Sequence, residues 1–129
     1  QKSNPRVTAS VGNLDLVPIE RRVGGHGASH LMAPFTHVSP DRPSRFTDGT
    51  FGVLYVGNAF ETALFETIHH HERFMARTAE KAGWTSQFRE IVLSVHADLH
   101  DLRGPRRRSH PALARDDYNA SQELGKRLK

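Results

Sequence analysis

Four polar side chains in this 129-residue chain have the types and spacing for chemistry at a glycosidic bond: Arg45, Tyr55, Glu66 and His70. An arginine presents a planar fork of donors that matches phosphate or carboxylate oxygens. A tyrosine adds a flat face and a hydroxyl. A glutamate can bind ribose hydroxyls and stabilise the positive charge that develops on an anomeric carbon. Glu66 and His70 are four residues apart, so on a helix they share a face and their side chains can meet. Leu64 and Ile68 flank Glu66, which predicts a partly buried carboxylate in need of a cation or a ligand hydroxyl. On spacing alone a second assignment stays open, with Arg45 and Glu66 as a structural ion pair, Tyr55 in a strand core and His70 on the surface.

The elements that must position these residues follow from pattern. Residues 51–56 (FGVLYV) form a short apolar run bounded by Asp48-Gly49 and Gly57-Asn58, which predicts a largely buried strand carrying Tyr55. Asn58 suits an N-cap, and Glu61 three residues later makes a capping-box variant. Phe60, Leu64, Ile68 and Met75 then recur near the helical period, which predicts a helix to about Lys81 that stops at Gly83. Residues 88–102 alternate, with Ile91, Leu93 and Val95 on one face, and read as one or two strands. Residues 118–129 predict an amphipathic helix. Upstream, a strand is expected around residues 14–17, a glycine turn at 24–27, and a short helical piece at 28–35 stopped by Pro34. Strand, helix, strand, helix gives an α+β expectation: a mixed β-sheet core with flanking helices. Phe46, Phe51 and Phe60 are expected in the core, and one of them or Trp84 could border a planar ring of a ligand.

Composition narrows the function. With no cysteine there is no disulfide, thiolate zinc site or cysteine nucleophile, which fits a cytoplasmic protein. No apolar run reaches the ~18–20 residues of a membrane span, and no signal peptide is expected from the polar opening residues. The chain lacks an initiator Met and ends in what reads as the interior of a helix, so residues are expected beyond Lys129. Between Arg106 and Lys129 seven cations face three anions, so this segment carries the whole net charge of +4. Such a tail could meet a nucleic acid or another anionic partner. Only Tyr118 interleaves with the basic residues, which favours a solvated loop and helix instead. His69, His70 and His71 point about 100° apart on a helix and do not converge on a metal. His26, His30 and His37 read as loop or cleft-lining polarity. No metal site is expected, and Gly24-Gly25-His26-Gly27 does not match a dinucleotide fingerprint.

Three blocks then become recognisable together: residues 45–55 (RFTDGTFGVLY), 61–66 (ETALFE) and 70–74 (HHERF). They closely resemble the RES domain, the toxin half of RES–Xre toxin–antitoxin modules. The Arg, Tyr, Glu and His of the family motif fall on Arg45, Tyr55, Glu66 and His70, at intervals of ten, eleven and four. The resemblance extends upstream through residues 27–37 and downstream through 99–103 and 118–122, covering about residues 17–129. It implies an ADP-ribosyltransferase-like fold and a single RES domain over residues 1–129. The family's C-terminal strand, with the Ser of its name, has no counterpart before Lys129, and Ser121 is not assigned to that role. An exposed sheet edge left by the missing strand would invite a homo-oligomer.

The resemblance also implies an enzyme whose substrate is NAD. Glu66, Arg45 and Tyr55 would be catalytic, with Arg45, Tyr55 and His70 binding NAD. By that resemblance the nicotinamide–ribose bond would be cut by hydrolysis or phosphorolysis, or ADP-ribose would pass to a protein, and growth would stop. An Xre-type antitoxin would block a cleft lined by Arg45 and Arg22, and DNA would be met only through that antitoxin. The alternative is a basic nucleic-acid-binding or RNA-cleaving toxin acting through Arg106 to Arg108 and residues 126–129. A third reading is a catalytically dead binding module.

Overall fold

The computed structural model describes residues 11–81, 83, 85–103 and 110–129. Among the described residues three α-helices dominate: α1 (Ala28–Thr36), α2 (Phe60–Met75) and α3 (Asn119–Leu128). Short 3-10 turns stand at Leu14–Leu16, Ile19–Arg21 and Pro111–Leu113. The expected mixed β-sheet is not found. Among the described residues there is no strand, and the one β-bridge joins Ser44 to Thr47.

The physical reason is local. A β-branched, apolar run becomes a strand only when a neighbour supplies the other half of its hydrogen-bond ladder. Residues 51–56 have no such neighbour among the described residues. Instead Gly52 lies directly against the backbone of Pro34 and Phe35, so close that a Cβ there would collide with both. Residues 88–102 are likewise irregular. The expected strand at residues 14–17 is a 3-10 turn, opened by Asn13, whose side chain accepts from the Asp15 N–H at 3.0 Å.

The chain divides into two compact units, Gln1–Leu54 with Asp101–Lys129, and Tyr55–His100. The first holds the three apolar side chains that are buried among the described residues, Val17, Met32 and Ala112. In it, α1 runs one residue past the expected stop, with Pro34 inside its last turn. Pro34 has no N–H to offer the preceding turn, which a helix tolerates more readily near an end than in its middle. Asn13 N–H caps the Thr36 carbonyl at 2.8 Å. Arg22 donates to the Val17 carbonyl at 2.8 Å and faces Asp15 at 3.7 Å, so it staples its own turn.

The second unit is built on α2. Its start differs from the capping-box expectation: Ala59 is the N-cap, in an extended conformation and without a side-chain bond. The helix ends at Met75, short of Lys81. The stripe of Phe60, Leu64 and Ile68 is real in register but exposed, at 52%, 39% and 42%. Phe60 is therefore not core, whereas Phe46 and Phe51 are half-buried.

Candidate active site

In the first unit, Arg45 sits at the tip of a tight turn. Ser44 N–H donates to the Thr47 carbonyl at 2.8 Å, and Thr47 N–H returns to the Ser44 carbonyl at 3.4 Å. The buried Thr47 hydroxyl ties the next bend, donating to the Phe51 carbonyl at 2.6 Å and accepting from Gly49 N–H at 3.0 Å. Gly49 has φ 88°, the left-handed region, and a Cβ there would also meet the Ser39 backbone. The turn is thus shaped by its own sequence, Ser-Arg-Phe-Thr-Asp-Gly-Thr.

Helix α3 clamps that turn from the other side. Tyr118, Gln122, Gly125 and Lys126 lie at i, i+4, i+7 and i+8, one helical face. Gln122 donates to the Ser44 carbonyl at 2.9 Å. Gly125 lies against the Phe46 carbonyl oxygen with no room for a Cβ. Lys126 Nζ meets Asp48 Oδ2 at 2.9 Å. The guanidinium of Arg45 is placed by the same region: Nη1 donates to the Ala114 carbonyl at 2.7 Å, and Cζ lies 4.7 Å from the centre of the Tyr118 ring. Ser121 is fully buried and donates to the Tyr118 carbonyl at 2.9 Å, so it locks the first turn of α3. Sequence reasoning missed this role for the C-terminal helix, although the 118/122/125/126 spacing was readable.

Asp48 is held well below the usual carboxylate range. The largest cause is the hydrogen bond from the Thr50 hydroxyl, at 2.6 Å, followed by those from Lys126 and the Thr50 N–H. Lys126 is pushed up correspondingly by Asp48. A carboxyl whose folded pKa is depressed adds stability above its unfolded value of about 3.9, and that stability is lost as pH falls through the lower folded value. Asp48→Asn should therefore melt lower than the parent at pH 7. The gap in Tm should close as pH is lowered below about 4, and thermal melts across pH 2–7 check it.

In the second unit, Glu66 and His70 meet as their spacing predicts, with His70 Nε2 at 3.5 Å from Glu66 Oε2. Both are open to solvent, Glu66 at 70%. Glu66 is not partly buried as expected, because its flanking Leu64 and Ile68 are themselves exposed. Tyr55 opens the unit at 53% exposure and lies on no strand. His71 is not simply solvent-facing: Nε2 lies 3.1 Å from the Ser86 hydroxyl, and its ring meets Phe88 edge-on. His69 is exposed and stacks edge-on against His70. Among the described residues no group of three His, Asp or Glu could hold a metal, and no helix is long and apolar enough to cross a membrane.

Of the basic tail, Lys126 pairs with Asp48 and Lys129 lies over the Phe51 ring at 5.1 Å. Arg106, Arg107, Arg108 and Trp84 lie outside the described residues.

The family model of the RES domain matches residues 19–129, which includes Arg45, Tyr55, Glu66, His70 and the whole of α3. No curated protein and no solved structure matches the chain.

Proposed function

The chain belongs to the RES domain family, and from that premise we propose that it is a toxin enzyme that cleaves the nicotinamide–ribose bond of NAD. The observation that carries this reading is the extent of the family match, over residues 19–129, which contain all four motif residues in order. In the proposed reaction the C1′–N bond breaks and nicotinamide leaves with the electron pair. Positive charge develops at C1′ and the ring oxygen, as in glycoside cleavage. The carboxylate of Glu66 stabilises that charge and holds the ribose hydroxyls. His70, at 3.5 Å, orients the Glu66 carboxylate and contributes to NAD binding. Tyr55 packs on the nicotinamide end. Arg45 binds the diphosphate through charge-assisted bonds. Water, phosphate or a protein side chain then adds to C1′.

The enzyme acts in the cytoplasm, and an Xre-type antitoxin holds it inactive by covering the same residues. The nucleic-acid alternative is weakened because Lys126 and Lys129 are engaged inside their own unit.

Expression in a bacterial host without the antitoxin tests the reading. Wild type should deplete NAD and stop growth. Arg45→Lys keeps the charge and loses the planar fork. It should raise the KM for NAD roughly ten- to hundredfold, the scale of one charge-assisted hydrogen bond, and relieve the growth arrest. Unchanged NAD levels in cells whose growth stops on wild-type expression would defeat the proposal.

A further inference from the structure

We propose that Tyr118 is a positioning residue that fixes the plane of the Arg45 guanidinium and so sets how tightly the diphosphate of a dinucleotide is held. This rests on the NAD reading above and deepens it. The two residues are 73 positions apart, yet Arg45 Cζ lies 4.7 Å from the centre of the Tyr118 ring, within cation–π range. The Ala114 carbonyl takes one donor of Nη1 at 2.7 Å. A planar guanidinium held over a ring and by one end has little rotational freedom left. Its Nε–Nη2 edge, which meets no acceptor among the described residues, keeps the paired geometry that matches two phosphate oxygens. A lysine or an untethered arginine would have to order itself at each binding event, at the cost of rotamer freedom.

The platform is itself anchored. Tyr118 is the N-cap of α3, its carbonyl accepts from Gln122 N–H at 2.8 Å and from the Ser121 hydroxyl at 2.9 Å, and Gln122 reaches the Ser44 carbonyl beside Arg45. The helix start and the arginine turn are therefore one assembly. The bonds at Tyr118 that build it are made by its backbone, so replacing the side chain leaves them in place.

The test compares Tyr118→Leu, Tyr118→Phe and the parent, each alone and with Arg45→Ala. Calorimetric affinity for ADP-ribose, steady-state kinetics with NAD, and kinetics with nicotinamide riboside, which lacks the diphosphate, are measured on each. Tyr118→Leu should weaken ADP-ribose binding and raise the KM for NAD by about 2- to 30-fold, the range of a cation–π contact, with kcat little changed. Tyr118→Phe should restore both, since the ring is kept. Cleavage of nicotinamide riboside should be the same in all three. In the Arg45→Ala background Tyr118→Leu should have no further effect, which a general loss of packing would not produce. Equal losses for NAD and nicotinamide riboside, an additive double mutant, or a wild type that does not bind ADP-ribose would overturn the proposal. Binding of ADP-ribose with the expected Tyr118 dependence, but without NAD cleavage, would leave this inference standing and remove the enzymatic reading.

Discussion

Replacing Glu66 by Gln is expected to cut NAD cleavage by about 10²–10³, the loss found when one preorganised electrostatic group is removed from a developing charge. The substitution keeps size and shape and deletes only the charge. It should leave the fold intact, because the Glu66 side chain is 70% exposed and its ion pair is an i,i+4 contact with the equally open His70. Exposed pairs of that kind contribute about 0.3–0.5 kcal/mol. Circular dichroism and Tm should therefore match the parent while the rate collapses in kcat rather than KM, since the charge acts on the transition state. A Glu66→Gln enzyme that turns over NAD at the parental rate would remove Glu66 from the chemistry.

The second large effect is structural. Gly125 lies in the middle of α3 and should, on propensity alone, be improved by alanine by about 1 kcal/mol. Its surroundings reverse the sign. A Cβ would overlap the Phe46 carbonyl oxygen, and that neighbour is backbone, which cannot rotate away. Either α3 or the Arg45 turn must move, and the Gln122 and Lys126 contacts on the same face loosen with it. Overpacking of this kind costs about 1–3 kcal/mol, so Gly125→Ala should lower Tm by several degrees and weaken ADP-ribose binding together. Gly24→Ala is the matched control: a Cβ at that position would have no neighbour within 4 Å, and the stability should be unchanged or slightly raised. If Gly125→Ala is as stable as the parent, the clamp of α3 on the arginine turn does not exist.

The elements that were legible in the sequence are those whose signal is local. The 60/64/68 stripe announced α2, and residues 118–129 announced α3 to within a residue at each end. The i,i+4 spacing of Glu66 and His70 put their side chains within reach, as found. What failed depended on partners elsewhere in the chain. The run at 51–56 has strand composition, but composition says nothing of whether a second strand lies alongside, and Gly52 packs on the backbone of α1 instead. The burial expected for Glu66 assumed that apolar neighbours on a helix must face a core, whereas Leu64 and Ile68 are exposed. The surroundings of Arg45 were out of reach for the same reason. Ala114 and Tyr118, which place its guanidinium, lie 69 and 73 residues downstream. The Tyr118–Gln122 block was visible as part of the family resemblance, yet its use as a platform emerges only when the two segments are seen in contact.

The activity proposed for this chain is cleavage of the nicotinamide–ribose bond of NAD. It is tested most directly by incubating the purified protein with NAD, in phosphate buffer and in a phosphate-free buffer, and following the products by proton NMR. Free nicotinamide should appear in at least one buffer, with ADP-ribose or its 1″-phosphate as the matching product, and should fall by about 10²–10³ with Glu66→Gln. NAD that stays intact in both buffers, and in a third reaction supplied with bacterial proteins as acceptors, with the protein folded and at catalytic concentration, would contradict it.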